Sequence, residues 1–373
     1  MKNTIETIRT YFPGLQDKIY MNTATQNVGN RLASEALHQA LNQWNKGEFD
    51  WLLAEAAGEE NRAIFADIIG AKSEEIALVP FASTAAGIVA AQFGNAQPGE
   101  NIVVSEQEFT SNLFPWRVLE SKGYQLRLIP SNEGIVPAEM YADYTDSATR
   151  LIAVSAVNAK NGYQVDLDTL SAVAHQHSAW LYVDACQAVG AIPLLVKEID
   201  FLAATSHKFL LGTRGTGYLY VRRNLLPVIS PVIPGWKAAE NPLTSFFGPD
   251  VRFAKDASKL DSSLSWFNAL ADRASFQIFE RFGVTAILEH NAHLIQHLHA
   301  ALQAHNLRFK TFIPPRRSTI FSVALPKPEE AVLKLRDAGV VASIRDEFIR
   351  LSLHVYNLKS EIDKVVALIA NLS

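Results

Sequence analysis

The sequence predicts an α/β protein, with a mostly parallel central sheet in a large domain and a small α+β C-terminal domain after it. Three observations carry this. Short apolar runs alternate with helical stretches through most of the chain. The pattern then breaks into a segment crowded with proline and glycine, followed by two long helical stretches. The length of 373 residues, 48% hydrophobic, exceeds what one small core needs.

The elements follow in order. Residues 76–79 are apolar, and Ser83-Thr84 then open an alanine-rich helical stretch ending near Gly94. Residues 102–104, 126–129, 151–154, 180–183 and 201–204 read as strands buried on both faces. Asp168 is the expected N-cap of a helix running through His175. Strands alternating with helices build a parallel sheet, and such sheets bind ligands beyond their carboxyl ends. Pro231, Pro234-Gly235, Pro242 and Gly248-Pro249 mark loops or a domain junction. The expected division is 1–248, an N-terminal segment and the large domain, and 249–373, the small domain. Helices are expected over 266–282, 284–305, 329–338 and 360–371, with strands at 319–323 and 349–353.

Composition excludes several functions. A net charge of −4 with no basic stripe argues against nucleic acid. No run approaches the ~20 apolar residues of a membrane span. The charged start, MKNTIETIRTYFPGL, is not a signal peptide by pattern. A single cysteine, Cys186, permits no internal disulfide and fits a reducing, cytoplasmic setting. His290, His293, His297 and His299 share one predicted helix. Without a third ligand placed by the pattern, they read as a solvated face and no metal is expected.

Three chemical features fall at strand ends. Asp184 ends the run at 180–183, Lys208 follows the run at 201–204, and Ser83-Thr84 follow the run at 76–79. In a parallel sheet all three point to one edge. A lysine amine forms a Schiff base with an aldehyde. A carboxylate holds a pyridine nitrogen protonated. A hydroxyl-lined helix N-terminus binds phosphate. Taken singly, each has a plainer reading: a surface lysine, a helix cap, an ordinary N-cap. The glycine turn after Lys208 lacks dinucleotide or P-loop spacing and is expected to permit a tight reversal and a close backbone approach.

With LYVDACQAVGAIPL and ATSHKFLLGTRGTGYLYV in view, the chain resembles the class V aminotransferases, which are fold-type I pyridoxal-phosphate enzymes that include cysteine desulfurases and isopenicillin N epimerase. YMNTATQNVGN, EIALVPFASTAAGIVAA, EQEFTSNLFPW and IRLSLHVYNLKSEIDKVVALI extend the resemblance along nearly the whole chain. It implies pyridoxal 5'-phosphate as cofactor and Lys208 as the Schiff-base lysine. It implies Asp184 at the pyridine nitrogen, Gln187 at the ring hydroxyl with Asn158 near the same edge, and Phe109 stacked on the ring. Ser83, Thr84, Thr205 and His207 are implied as phosphate ligands. Ser263, in KLDSSLSWF, is the weaker match to a residue that reaches the partner's phosphate in a homodimer. Arg350 is implied to hold a substrate carboxylate, with Asn22 beside it.

The implied partner is a small amino substrate bearing a carboxylate. The implied reaction is Cα proton abstraction by Lys208, with transamination first and epimerisation or a lyase reaction as alternatives. A catalytically silent scaffold of the same fold is the reading from another class. Two departures from the desulfurases stand out. Phe109 replaces a ring-stacking histidine and cannot transfer a proton. VVASIRDEFIR, before Arg350, contains no cysteine, so a cysteine desulfurase is not expected.

Overall fold

The computed structural model describes residues 5–131, 134–250, 252–310, 312 and 316–373; the first four residues of the charged N-terminal stretch lie outside them. After two short 3-10 helices (Ile5–Tyr11 and Pro13–Leu15) come β1 (Ile19–Tyr20), α1 (Arg31–Lys46) and α2 (Trp51–Ile69). Neither α-helix is among the sequence expectations, yet both carry strong end signals. Asn30 and Asp50 cap them by accepting from Ala33 N and Leu52 N. Gly47 and Gly70 end them at φ 73° and 70°.

Next come β2 (Ile76–Val79), α3 (Ala82–Ala90), β3 (Asn101–Ser105), α4 (Phe114–Arg117), β4 (Gln125–Ile129) and α5 (Ala138–Tyr144). Then follow β5 (Thr149–Ser155), α6 (Leu167–Gln176), β6 (Trp180–Asp184), β7 (Phe201–Thr205) and β8 (Gly217–Val221). Among the described residues the larger sheet has seven strands in the order β2-β8-β7-β6-β5-β3-β4. β8 runs antiparallel to both neighbours and the other pairings are parallel. Alternate side chains enter different cores: Val103, Ile152, Val183 and Leu202 join one, and Ile102, Leu151, Tyr182 and Phe201 the other. That period of two is why these runs are apolar throughout. β4 departs from the expectation, because as the outer strand it leaves Gln125 and Leu128 exposed. The cap of α6 is also corrected. Asp166, not Asp168, accepts from Thr169 N at 3.1 Å.

The remaining elements are α7 (Trp266–Phe282), α8 (Val284–Ala304), β9 (Ile320–Ala324), α9 (Pro328–Asp337), β10 (Val340–Val341), β11 (Ser343–Arg345), β12 (Phe348–Ser352) and α10 (Lys359–Ala370). β11, β12 and β9 form an antiparallel sheet. β1 pairs with β10, and Asn22 bridges to Ser352, so the N-terminal segment lies along the C-terminal strands. The proline- and glycine-rich stretch is pinned to α2. Buried Lys237 pairs with Glu55 at 2.8 Å and Glu59 at 3.1 Å, and Arg62 pairs with Asp261 at 2.6 Å. No described helix is long and apolar enough to cross a membrane.

The order of strands positions the site. β2, β3, β5, β6 and β7 present their carboxyl ends at one edge. The order reverses between β3 and β5, the kind of switch point beside which such sheets bind ligands.

Candidate active site

Lys208 is half-buried on the turn that leaves β7 at this edge. Leu211 N donates to the Lys208 carbonyl at 3.2 Å, and Leu211 takes φ 61°. That conformation costs a non-glycine residue about 1 kcal/mol. Gly212 gives the close approach expected of it. A Cβ there would stand 2.2 Å from Ser206 Oγ and 2.6 Å from Asp272 Oδ1. Asp272, on α7, in turn accepts from Thr213 N at 2.6 Å and Thr213 Oγ1 at 2.8 Å, tethering the turn. Burial raises its carboxyl to about 6.

The N-terminus of α3 stands near the end of β7 that leads to Lys208. α3 packs against β7 and β8, and Phe81 caps it without any side-chain bond. Ser83 and Thr84 sit in its first turn, where helix N–H groups have no intrahelical partner. Thr205 ends β7, and His207 follows. Burial, and then the charges of Lys208 and Arg214, lower the His207 imidazole to about 4, so the ring is neutral near pH 7.

Asp184 is buried at the end of β6, and its Oδ1 accepts from Cys186 N at 2.9 Å. Gln187 Nε2 donates to the Ala24 carbonyl at 3.0 Å. The Phe109 ring centroid stands 5.7 Å from Lys208 Nζ, in the loop after β3. Asn158 Oδ1 accepts from Lys160 N at 2.8 Å and Asn161 N at 3.2 Å, so its oxygen shapes its own turn.

The fit to a phosphorylated pyridine can be tested on the unmet groups. Thr205 Oγ1, His207 Nδ1 and Gln187 Oε1 are all buried without a hydrogen-bond partner. Such an orphan costs about 1–3 kcal/mol. Thr205 Oγ1 and His207 Nδ1 would donate to the phosphate of such a group, and Gln187 Oε1 would accept from its ring hydroxyl. The donor set therefore matches pyridoxal phosphate.

Arg350 is fully buried on β12. Its Nε donates to Ser343 Oγ at 3.2 Å, Nη1 to the Ala159 carbonyl at 2.7 Å and Nη2 to Thr25 Oγ1 at 2.7 Å. Burial and the charge of Arg345 push its guanidinium well below its usual range. It has no carboxylate partner among the described residues, which leaves a buried cation suited to an incoming one. Thr25 Oγ1 donates to Asn22 Oδ1 at 2.8 Å, so Asn22 joins Arg350 through this hydroxyl.

Thr25 escapes sequence reasoning because it reaches Arg350 only through the fold. Glu108 escapes it as well. Its carboxyl accepts from Ser155 N at 2.8 Å and Asn112 Nδ2 at 2.8 Å, tying the Phe109 loop to β5. Burial raises it to about 7, and the Asp184 charge adds to this. Ser263 is exposed and lines a small cavity with Pro80 and Thr216, beside the approach to α3. Cys186 is buried, and burial pushes its thiol up, away from reactivity. His297, on α8, pairs with Asp363 at 2.7 Å.

The Aminotransferase class-V family matches residues 51–365. The chain is 27% identical over 374 residues to the uncharacterized aminotransferase YcbU of Bacillus subtilis, covering 98% of this chain and 99% of that one. It is 28% identical over 315 residues to a probable cysteine desulfurase of Methanothermobacter thermautotrophicus, covering 80% and 76% of the two chains.

In fold it is similar to the apo cysteine desulfurase of Thermococcus onnurineus NA1, with a TM-score of 0.83, 23% identity, and 98% and 97% of the chains covered. It is also similar to the cystine C–S lyase C-DES, solved with its reaction product cysteine persulfide, with a TM-score of 0.86, 22% identity, and 97% and 100% covered. The expectation against a cysteine desulfurase is therefore corrected. Relatives bearing that name match most of this chain, and the missing cysteine concerns one short loop. With a family match spanning most of its length and a donor set that fits the cofactor, the chain belongs to the class V aminotransferases and is a pyridoxal 5'-phosphate enzyme of that fold.

Proposed function

We propose that this protein acts on a small amino acid and catalyses transamination, with Lys208 moving the Cα proton. The buried Arg350, with no acidic partner among the described residues, carries the amino-acid part of this reading, because a bound carboxylate would pair with its charge. Bound pyridoxal phosphate supplies an electrophilic aldehyde and an electron-withdrawing ring. Asp184 holds the proton at the ring nitrogen, and Gln187 and Asn158 address the ring edge. Ser83, Thr84, Thr205 and neutral His207 hold the phosphate. Phe109 covers the ring and, lacking a titratable group, leaves Lys208 Nζ as the base that takes and returns the proton.

Cleavage of a carbon–sulfur bond is the second reading, favoured by the names of the desulfurase relatives and of C-DES. Epimerisation would need a proton donor opposite Lys208, where Phe109 offers none.

A homodimer is part of the proposal. Phe49 stacks on Trp266 at 6.0 Å, Trp51 stacks on Trp266 at 5.8 Å, and Trp236 leans on Phe246 at 5.2 Å. Beside this ladder Phe247 is 98% exposed, and Ser263 stands just before Trp266. An apolar patch of this kind suits a second copy, whose phosphate Ser263 would face. The buried, single thiol suits a reducing cytoplasm.

The test is the visible absorption spectrum before and after borohydride, with peptide mapping, followed by an amino-donor screen against 2-oxo acids. An adduct on Lys208 and transfer of an amino group support the proposal. Absence of an adduct after added pyridoxal phosphate refutes it. Release of sulfide or persulfide without amino transfer puts the second reading first.

A further inference from the structure

Two guanidinium groups meet at one hydroxyl. Arg350 Nη2 and Arg345 Nη2 both donate to Thr25 Oγ1, at 2.7 and 3.3 Å. The hairpin explains the convergence. Ser343 lies opposite Arg350 across the β11–β12 pair. Arg345 is two residues along from Ser343 and therefore shares its face. The tip is fixed: Asp346 takes φ 51° and pairs with Lys160 Nζ at 3.1 Å. Among the described residues Arg345 Nη1 reaches only the Ile344 carbonyl, at 2.7 Å. Arg345, like Arg350, has no carboxylate partner among the described residues. Two cations facing each other without an anion repel, and an anion between or beside them relieves that repulsion.

Arg345 also looks outward. It lines an open cavity of about 650 Å³ with Gln107, Lys160, Arg308 and Lys310, against which stand Asp346 and Glu347. Gln107 is two residues before Phe109, and its Oε1 accepts from Lys160 Nζ at 3.4 Å. The cavity therefore borders the Phe109 loop, and its lining is net positive. Buried Arg350 and half-buried Arg345 meet at the exposed Thr25, and Arg345 joins that point to the open cavity.

We propose that Arg345 is a specificity-determining residue that binds a second, distal acidic group, so that the substrate is an amino acid with an acidic side chain. This rests on the reading of Arg350 as the α-carboxylate site. A monocarboxylate uses Arg350 alone. A dicarboxylate uses both arginines and keeps its far end toward the basic cavity.

The experiment is calorimetric titration of the holoenzyme with glutarate and with pentanoate, which differ in one terminal carboxylate. Wild type is expected to bind glutarate at least ~10-fold more tightly. Arg345→Gln is expected to weaken glutarate at least several-fold more than pentanoate and so remove most of the preference, while Arg345→Lys keeps part of it. Arg350→Gln weakens both ligands. Equal binding of the two acids to wild type, or an intact preference in both Arg345 variants, overturns the role of Arg345 while Arg350 keeps its own. If Arg350→Gln weakens neither ligand, or wild type binds neither, the α-carboxylate reading falls and this proposal falls with it.

Discussion

Arg350 Nη2 donates to Thr25 Oγ1 at 2.7 Å across 325 residues of sequence. The hydroxyl in turn donates a hydrogen bond to Asn22 Oδ1 at 2.8 Å. One threonine thus orients the buried guanidinium, anchors the N-terminal segment and receives Arg345 as well.

Replacing Thr25 with valine keeps the shape and removes the hydroxyl. The lost hydrogen bond is worth about 1 kcal/mol. KM for the amino substrate should rise ~5-fold with kcat nearly unchanged. Steady-state kinetics on the substrate found by the donor screen checks this. An unchanged KM would mean that Arg350 does not need Thr25.

Arg350→Ala removes a charge-assisted contact worth about 1.5–3 kcal/mol. The expected loss in kcat/KM is ~10- to 100-fold. Arg350→Lys should recover little, because a single ammonium cannot reproduce the fork that serves Ser343, Ala159 and Thr25 together. Equal activity of the lysine variant would argue against bidentate carboxylate binding.

Gly190 takes φ 83°, and a Cβ there would lie 2.3 Å from the Phe209 carbonyl oxygen. Phe209 follows Lys208 directly, and the same oxygen faces His354 Nε2 at 2.9 Å. Gly190→Ala should therefore cost at least ~2 kcal/mol of stability and displace the lysine turn. Thermal unfolding and the absorption of the bound cofactor should both change. A wild-type melting temperature would contradict the crowding.

His354 is fully buried, and desolvation lowers its imidazole from 6.5 to about 4. The folded form thus binds its proton less readily than the unfolded chain. Between pH 6.5 and about 4 the unfolded state holds more protons, so this contribution is complete above pH 6.5 and fades as pH falls toward 4. The full effect is about 3 kcal/mol. Denaturant unfolding of wild type and His354→Gln should show a stability difference that shrinks with acidification over that window. A difference independent of pH would place the titration elsewhere.

What the sequence by itself determined was local and edge-directed. Short continuous apolar runs placed the strands, and strand ends then brought Asp184, Lys208 and Ser83-Thr84 to one edge, because parallel strands share a direction. Capping chemistry marked helix ends, although Asp166 and Asp168 were too close for pattern to separate.

The tertiary structure alone decided the rest. The insertion of β8 antiparallel between β7 and β2, the buried role of Glu108, and the meeting of Thr25, Arg345 and Arg350 depend on contacts between distant segments. Such contacts leave no periodic trace, since each needs one hydroxyl or one charge at one position. Burial without a counter-ion, the property that gives Arg350 its meaning, exists only once the surrounding chain has closed over it.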